Sequence, residues 1–328
     1  MPSAYQAARQ AAALLDRSSR GRILVKGRDR ASYLQGLLTN DVEALRPGGG
    51  CYAAYLTAQG RMIADLWVYE LGDLILLNLA GEVRGTVMAR LDQFIFSEDV
   101  QLGDVTATFG QIAVVGPDAA RIVGGLMDDA PAARLTALPD HGNLRGTIAG
   151  QPAIVTRILD AGEPGFEIYV EQEGIGPLKA RLVQAGAAEL DAQTADILRV
   201  EAGVPEFHRD MDEETIPLEA GIEAQAISQT KGCYVGQEVI VRVLHRGHGR
   251  VARKLVGLTL DGDAVPARGS LVKSDQKNVG EITSSVRSIA LDRPIALGYL
   301  LRDFLEPGTE VSIDGSHAVV TQLPFLHE

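Results

Sequence analysis

Two stretches decide the reading of this chain: ILVKGRDRA at Ile23–Ala31 and IAVVGPDAA at Ile112–Ala120. Both follow the pattern IxVxGxDxA, and after each comes a Gly-Leu pair, Gly36-Leu37 and Gly125-Leu126, at the same spacing of 89 residues. A strand turning into a helix gives part of this pattern unaided, since glycine suits the turn and aspartate the helix cap. The constant offset over a longer stretch reads as an internal duplication. Each copy is predicted as an α+β unit, with helices covering one face of a largely antiparallel sheet.

The surrounding sequence fits that unit. Ile23-Leu24-Val25 is a short β-rich run stopped by Gly27, and Asp29 is placed to cap a helix with the apolar face Tyr33, Leu34, Leu37 and Leu38. Strands are predicted at Cys51–Thr57, Met62–Leu71 and Leu74–Leu79, joined by turns at Ala58-Gln59-Gly60 and Gly72-Asp73. Val83, Val87 and Leu91 recur at helical spacing. In the second copy Ala153–Leu159 and Phe166–Glu171 read as strands, and Ile175–Gln184 and Thr194–Ala202 as helices. Beyond about Arg250, short β-rich runs alternate with Gly, Pro and Asp, the pattern of a small barrel or sandwich. The expected modules are 1–108, 109–249 (the second half with a signature segment) and 250–328.

Composition bounds the function. At 328 residues, 46% hydrophobic and 23% charged, the chain is ordinary globular material with room for two or three domains. No apolar run approaches the roughly 20 residues of a membrane helix, and the N-terminal MPSAYQAARQAAALLDRSSR reads as a short amphipathic helix. A cytoplasmic protein is therefore expected, and the two cysteines, Cys51 and Cys233, agree with a reduced compartment. A net charge of −12 argues against direct nucleic-acid binding. Against it stands one basic stripe: Arg242, His245, Arg246, His248, Arg250, Arg253 and Lys254, with no acid from Val239 to Leu260. That stripe is either a solvated face or the docking place of an anion, such as an acidic ligand tail or a partner.

Phosphate-loop, HExxH, CxxC and GxSxG motifs are absent, and no metal site is predicted, the histidines of HRGH included. What remains is polar residues set into apolar elements: Asp65 in a strand, Asn78 at the end of another, and Arg199 and Glu201 in the helix before Gly203. Each could equally be a solvent-facing or ion-paired residue. The most specific segment is KGCYVGQE, Lys231–Glu238, with two glycines, a thiol and four polar side chains in eight positions. Gln237-Glu238 looks like a helix start.

KGCYVGQE resembles the signature of the YgfZ-type proteins, which share a fold with the folate-dependent aminomethyltransferase of glycine cleavage, the T protein. ILVKGRDRASYLQGLLTND, QGRMIADLWVYE, GFEIYV, LRVEAG, IPLEAG and a C-terminal RKLVGL…GEITSS…IALGYL extend the resemblance over nearly the whole chain. It implies a duplicated folate-binding body of two pseudo-symmetric α/β halves with a C-terminal antiparallel β-barrel. It implies tetrahydrofolate, or a one-carbon-substituted reduced folate, as the ligand.

The resemblance also implies roles. Asp65 contacts the reactive part of the folate, Tyr69 and Asn78 stand near it, and Glu201 holds the pterin ring. Arg199, Lys231 and Gln237 join the binding set, and Cys233 serves as an exposed functional thiol while Cys51 packs inertly. Ala64 stands where the T protein has a first aspartate, Gln237 where it usually has arginine, and Cys233 where it has no cysteine. The T protein also has a long segment before its first LxVKG strand that this sequence lacks. These departures imply the YgfZ branch: support for assembly or repair of iron–sulfur client enzymes, and through them tRNA modification. The alternative is an aminomethyl or methyl transferase of the T-protein type. Whether a bond is made or broken does not follow from the residues.

Overall fold

The computed structural model describes residues 3–129, 132–159, 162–246 and 249–326. Helix α1 (Ala4–Gln10), started by a reciprocal Ser3–Gln6 capping box, leads into β1 (Ala13–Asp16). The amphipathic helix expected at the N-terminus thus ends early, and Ala13-Leu14-Leu15 is a strand. The first half then runs β2 (Gly21–Lys26), α2 (Arg30–Gln35), β3 (Gly50–Leu56), β4 (Met62–Glu70), β5 (Ile75–Leu79), α3 (Arg84–Asp92) and β6 (Gln101–Asp104). The second half repeats that order as β7 (Phe109–Val115), α4 (Ala119–Leu126), α5 (Ala132–Thr136), β8 (Asn143–Ile148), β9 (Gln151–Ile158), β10 (Gly165–Glu171), α6 (Ile175–Gln184) and β11 (Ala188–Glu189).

Strand order makes the duplication plain. The first sheet is β3-β4-β5-β2-β6 and the second β8-β9-β10-β7-β1-β11. Beside β7 the N-terminal β1 takes the place that β6 holds beside β2, and β11 is displaced to the edge, where it pairs with β1 in parallel. The turn glycines correspond as well. Gly27 has φ 108° and Gly116 φ 118°, and a Cβ on either would collide with a carbonyl oxygen, of Asp99 or of Ala11. Asp29 stands at the cap position of α2 but does not cap it; its carboxylate instead accepts the Asp99 N–H at 2.9 Å.

Two hydrogen bonds locate the pseudo-two-fold. Arg22 Nη1 donates to Gln111 Oε1 at 3.1 Å, and Asn78 Nδ2 donates to Glu167 Oε2 at 3.0 Å. Each pair is separated by 89 residues, the repeat spacing. Contact between equivalent positions is what an axis of two-fold symmetry requires.

After α7 (Ala192–Glu201) the chain crosses back to the first half. Phe207, Met211, Leu218, Ile222, Tyr234 and Ile240 all enter the core beneath β3 and β4. This segment includes α8 (Pro217–Ala220), α9 (Glu223–Ala226) and α10 (Gln237–Val241). The signature segment, grouped by sequence with the second half, therefore packs on the first, because its apolar residues have their partners there. Likewise β1, counted within 1–108, belongs to the second sheet.

The C-terminal strands β12 (Arg253–Leu260), β13 (Leu271–Ser274), β14 (Lys277–Ser288), β15 (Arg293–Leu301), β16 (Glu310–Ile313) and β17 (Ser316–Thr321) close into an antiparallel barrel. Val200 of α7 seats against its wall with Leu255, Ile295, Leu297 and Tyr299. Among the described residues no helix is long and apolar enough to cross a membrane.

Candidate functional site

A cavity of about 600 Å³ lies where the two sheets and α7 converge. Its walls come from the end of β1 and the chain after it (Leu15 to Arg20), from β4 (Asp65, Trp67), from the loop Ala80–Glu82, and from α7 with the loop at residues 204–209. That volume falls within the range that takes a drug-sized organic ligand. Trp67 and Phe207 give it flat apolar surface.

Asp65 is its buried acid. It lies on β4 opposite Ala54 of β3, in an interior strand of the sheet and not on an exposed edge. Tyr52 donates its hydroxyl to Asp65 Oδ2 at 2.7 Å. Burial pushes the carboxyl of Asp65 above its ordinary value, against the opposing pull of the Tyr52 hydrogen bond and the nearby Arg20 charge. A carboxyl so raised keeps its proton to higher pH than an exposed aspartate does, which suits work at a ligand amine.

Across the sheet from Asp65 runs a row of large side chains. Tyr52 of β3 pairs in register with Trp67 of β4, Trp67 with Asn78 of β5, and Asn78 with Arg22 of β2. Tyr52 tilts against Trp67 with ring centroids 5.1 Å apart. The Arg20 guanidinium lies over the Trp67 ring, 4.7 Å from its centroid, and its Nε donates to Asn78 Oδ1 at 2.7 Å. Asn78 is fully buried and passes the connection on, donating to Glu167 and to Tyr169 at 2.6 Å. Glu167 in turn accepts from Arg17 and Tyr169. Asn78 thus stands behind the wall and orients it through Arg20.

The other expected ligand residues are engaged elsewhere. Tyr69, two residues past Trp67 on the same face, is wholly enclosed between the sheets, edge-on to Tyr169. Arg199 does line the cavity, but its guanidinium is saturated by Asp196, Asp210, the Val204 carbonyl and Ser284, so it braces α7 against the barrel. Glu201 is fully buried and reaches no cavity wall. Its Oε2 accepts from Tyr5 and Arg9, each at 2.6 Å, and its Oε1 from Ser288 at 2.6 Å and the Ala290 N–H at 3.3 Å. The glutamate expected on a pterin ring is instead the knot that ties α1, α7 and the barrel together.

Lys231 is also internal. Its ammonium donates to the carbonyls of Gln35, Leu38 and Asn40 and lies over the Tyr234 ring, and burial lowers it to about 8. Gln237 begins α10, as expected, behind Gly236 at φ 84°, and neither it nor Lys231 is part of the cavity wall. Cys233 is exposed, whereas burial raises the half-buried Cys51 thiol to about 12. Three cations of the basic stripe are paired: Arg242 with Glu238, Arg253 with Glu219 and Lys254 with Glu223. Gly247 and His248 lie outside the described residues, as does the side chain of Arg246. Among the described residues no group of three or more His, Cys, Asp and Glu side chains is placed to hold a metal ion.

Sequence reasoning missed Tyr52, Trp67, Arg20, Glu167 and Phe207. The alternation of β4 held the one available signal, since Trp67 must share a face with Asp65.

Comparison with known proteins agrees with this architecture. The GCVT N-terminal domain matches residues 3–230, and the glycine cleavage T-protein C-terminal barrel domain matches residues 253–326. The chain is 33% identical over 335 residues to the aminomethyltransferase of Nostoc sp., covering 98% of this chain and 86% of that protein. It is 34% identical over 323 residues to that of Rubrobacter xylanophilus, covering 98% and 85%. The crystal structure of the glycine cleavage system aminomethyltransferase T from Bartonella henselae superposes with a TM-score of 0.89 over 98% of this chain and 88% of that one; at 23% identity this likeness concerns the fold. From its N-terminal helix to its closing barrel, the chain belongs to the glycine-cleavage T-protein family.

Proposed function

We propose that the protein binds a reduced folate in the junction cavity and acts on the one-carbon unit at the folate's linking amine, as an aminomethyl transferase does. The observation that carries this reading is Asp65: a buried carboxyl with a raised pKa, held by Tyr52 and facing a cavity of fitting volume beside Trp67. The named aminomethyltransferases among its relatives support the same reaction class. The residues present fit the ligand, since Trp67 and Phe207 line the cavity with aromatic surface and Asp65 offers a partner for an amine. Reduced folate supplies the amines that carry and release a one-carbon group. Asp65 would accept or return the proton at the linking amine, and the Tyr52 hydroxyl would hold the carboxyl oriented while it does so. The walls of the cavity would keep bulk water from that amine.

The test is turnover by the purified protein: formation of methylene-tetrahydrofolate and ammonia, with release of the free donor, from tetrahydrofolate and an aminomethyl-carrying donor, with Asp65→Asn beside wild type. Turnover that survives Asp65→Asn within about twofold would remove the role given to Asp65.

A second reading has its own observation. Cys233 is exposed within KGCYVGQE, and Ala64 and Gln237 depart from the T-protein pattern. Support of iron–sulfur enzymes, in the manner of the YgfZ-type proteins, would use that thiol on a client and the folate without transfer. Tight folate binding with no turnover, together with failure of Cys233→Ala to restore iron–sulfur enzyme activity in cells lacking the protein, would favour this reading over the first.

A further inference from the structure

Among the described residues four arginines reach the junction cavity, and three are committed to protein partners. Arg199 is saturated, Arg209 bridges Glu206 and Asp196, and Arg17 holds Glu167. Arg20 differs. Its Nε is held by Asn78 and its guanidinium lies on Trp67, yet among the described residues its terminal amino groups meet no carboxylate and no hydrogen-bond acceptor. An arginine clamped at its face and at Nε has already lost its rotamer freedom. Its remaining N–H groups therefore form a preorganised fork for a planar anion.

The walls restrict which anion fits. Asp16, Asp65, Glu82, Asp196 and Glu206 also line the cavity, so a multiply charged phosphate would be repelled where a single carboxylate is tolerated. Position narrows the choice further. Trp67 stands two residues from Asp65 on one face of β4, about 7 Å along the strand. That is the reach of an aromatic ring and an amide, the spacer between a folate's linking amine and its glutamate. Three cations of the basic stripe, Arg242, Arg253 and Lys254, pair with glutamates and lie outside the wall of this cavity.

We propose that Arg20, seated on Trp67, is the specificity-determining residue that binds a glutamate carboxylate of the folate tail and so separates a folate from a bare reduced pterin. The inference rests on the folate reading above.

The experiment compares three probes on the full chain: tetrahydrofolate, tetrahydrofolate with its glutamate carboxylates capped as amides, and a tetrahydropterin without the tail. Wild type should bind tetrahydrofolate tighter than the capped form by roughly tenfold to a hundredfold, the usual weight of a hydrogen bond to a charged group. In Arg20→Gln that preference should vanish, while affinity for the tail-free pterin stays within about twofold of wild type. Arg20→Lys, which keeps the charge but loses the fork, should retain part of the preference. Equal loss for folate and pterin in Arg20→Gln would mean that the residue only shapes the cavity, and would overturn the proposal. So would equal binding of capped and uncapped folate to wild type, a result that needs no variant. No binding of any folate to wild type would sink the functional reading itself, which keeps the two failures distinct.

Discussion

Replacing Glu201 by alanine should cost stability and leave folate affinity intact. The carboxylate is fully buried and accepts four hydrogen bonds, from Tyr5, Arg9, Ser288 and the Ala290 N–H. Arg9 would keep Glu163 at 3.0 Å, and both those side chains touch solvent, so its charge is not stranded. The Tyr5 and Ser288 hydroxyls would be left without their acceptor inside the protein, at about 1–3 kcal/mol each. The two together come to about 2–6 kcal/mol. Urea denaturation followed by circular dichroism measures it, and hydrogen exchange at Ala4–Gln10 localises it, since α1 is held to the body partly through Glu201. Folate affinity, measured below the transition, should stay within about twofold of wild type. A Glu201→Ala variant as stable as wild type, with affinity down thirtyfold or about 2 kcal/mol, would refute this reasoning and restore Glu201 as a ligand residue.

Asp65→Asn should behave oppositely. Because burial raises the folded-state pKa of Asp65, the folded protein holds a proton that the unfolded chain releases. Stability from this site is thus highest at low pH and falls as pH rises from the ordinary carboxylate value through the raised one. The variant should match wild type in acid and exceed it in stability at neutral pH, while losing turnover; equal pH profiles would refute this. Trp67, the chain's single tryptophan, lies on the cavity wall, so reduced folate should quench its fluorescence saturably, and an unchanged spectrum at saturating ligand would place binding elsewhere. Alkylation at neutral pH should modify exposed Cys233 well before Cys51, whose thiol burial raises to about 12; peptide mapping by mass spectrometry reads the order, and the reverse order would contradict the fold around β3.

The elements of this fold were legible because they rest on local chemistry. The 89-residue repeat, the alternation of β3 to β5 and the turn-punctuated barrel each declare themselves within a few residues. The fate of the polar residues was not local. Glu201 finds Tyr5 across 196 positions, and Lys231 finds Gln35 across another 196. A polar side chain inside an apolar element must have a partner, but the sequence does not say whether that partner is a ligand or the protein itself. For Asp65 the acid does line a cavity; for Glu201 and Lys231 the protein supplies every bond. Arg20 was overlooked for the converse reason. In the polar run RSSR it looks like an ordinary surface residue, and only the stacking of the two sheets puts it over Trp67.

The two hydrogen bonds on the pseudo-axis also bear on why the halves form one chain. In a dimer of identical subunits, a residue on the axis must face its own copy: arginine against arginine at position 22, or glutamine against glutamine at 111. A glutamate at 167 would meet a second glutamate in a dry interface, and like charges there are strongly unfavourable. Covalent fusion lifts that constraint, because the two sides of the axis can then diverge. Arg22 opposite Gln111 and Asn78 opposite Glu167 are pairings that no identical dimer could make. The same freedom lets β1 enter one sheet and not the other. It delivers Arg17 and Arg20 to one side only, so that an ancestral two-fold surface, obliged to carry two equal half-sites, could become a single lopsided pocket with an acid on one wall and a cation on the next.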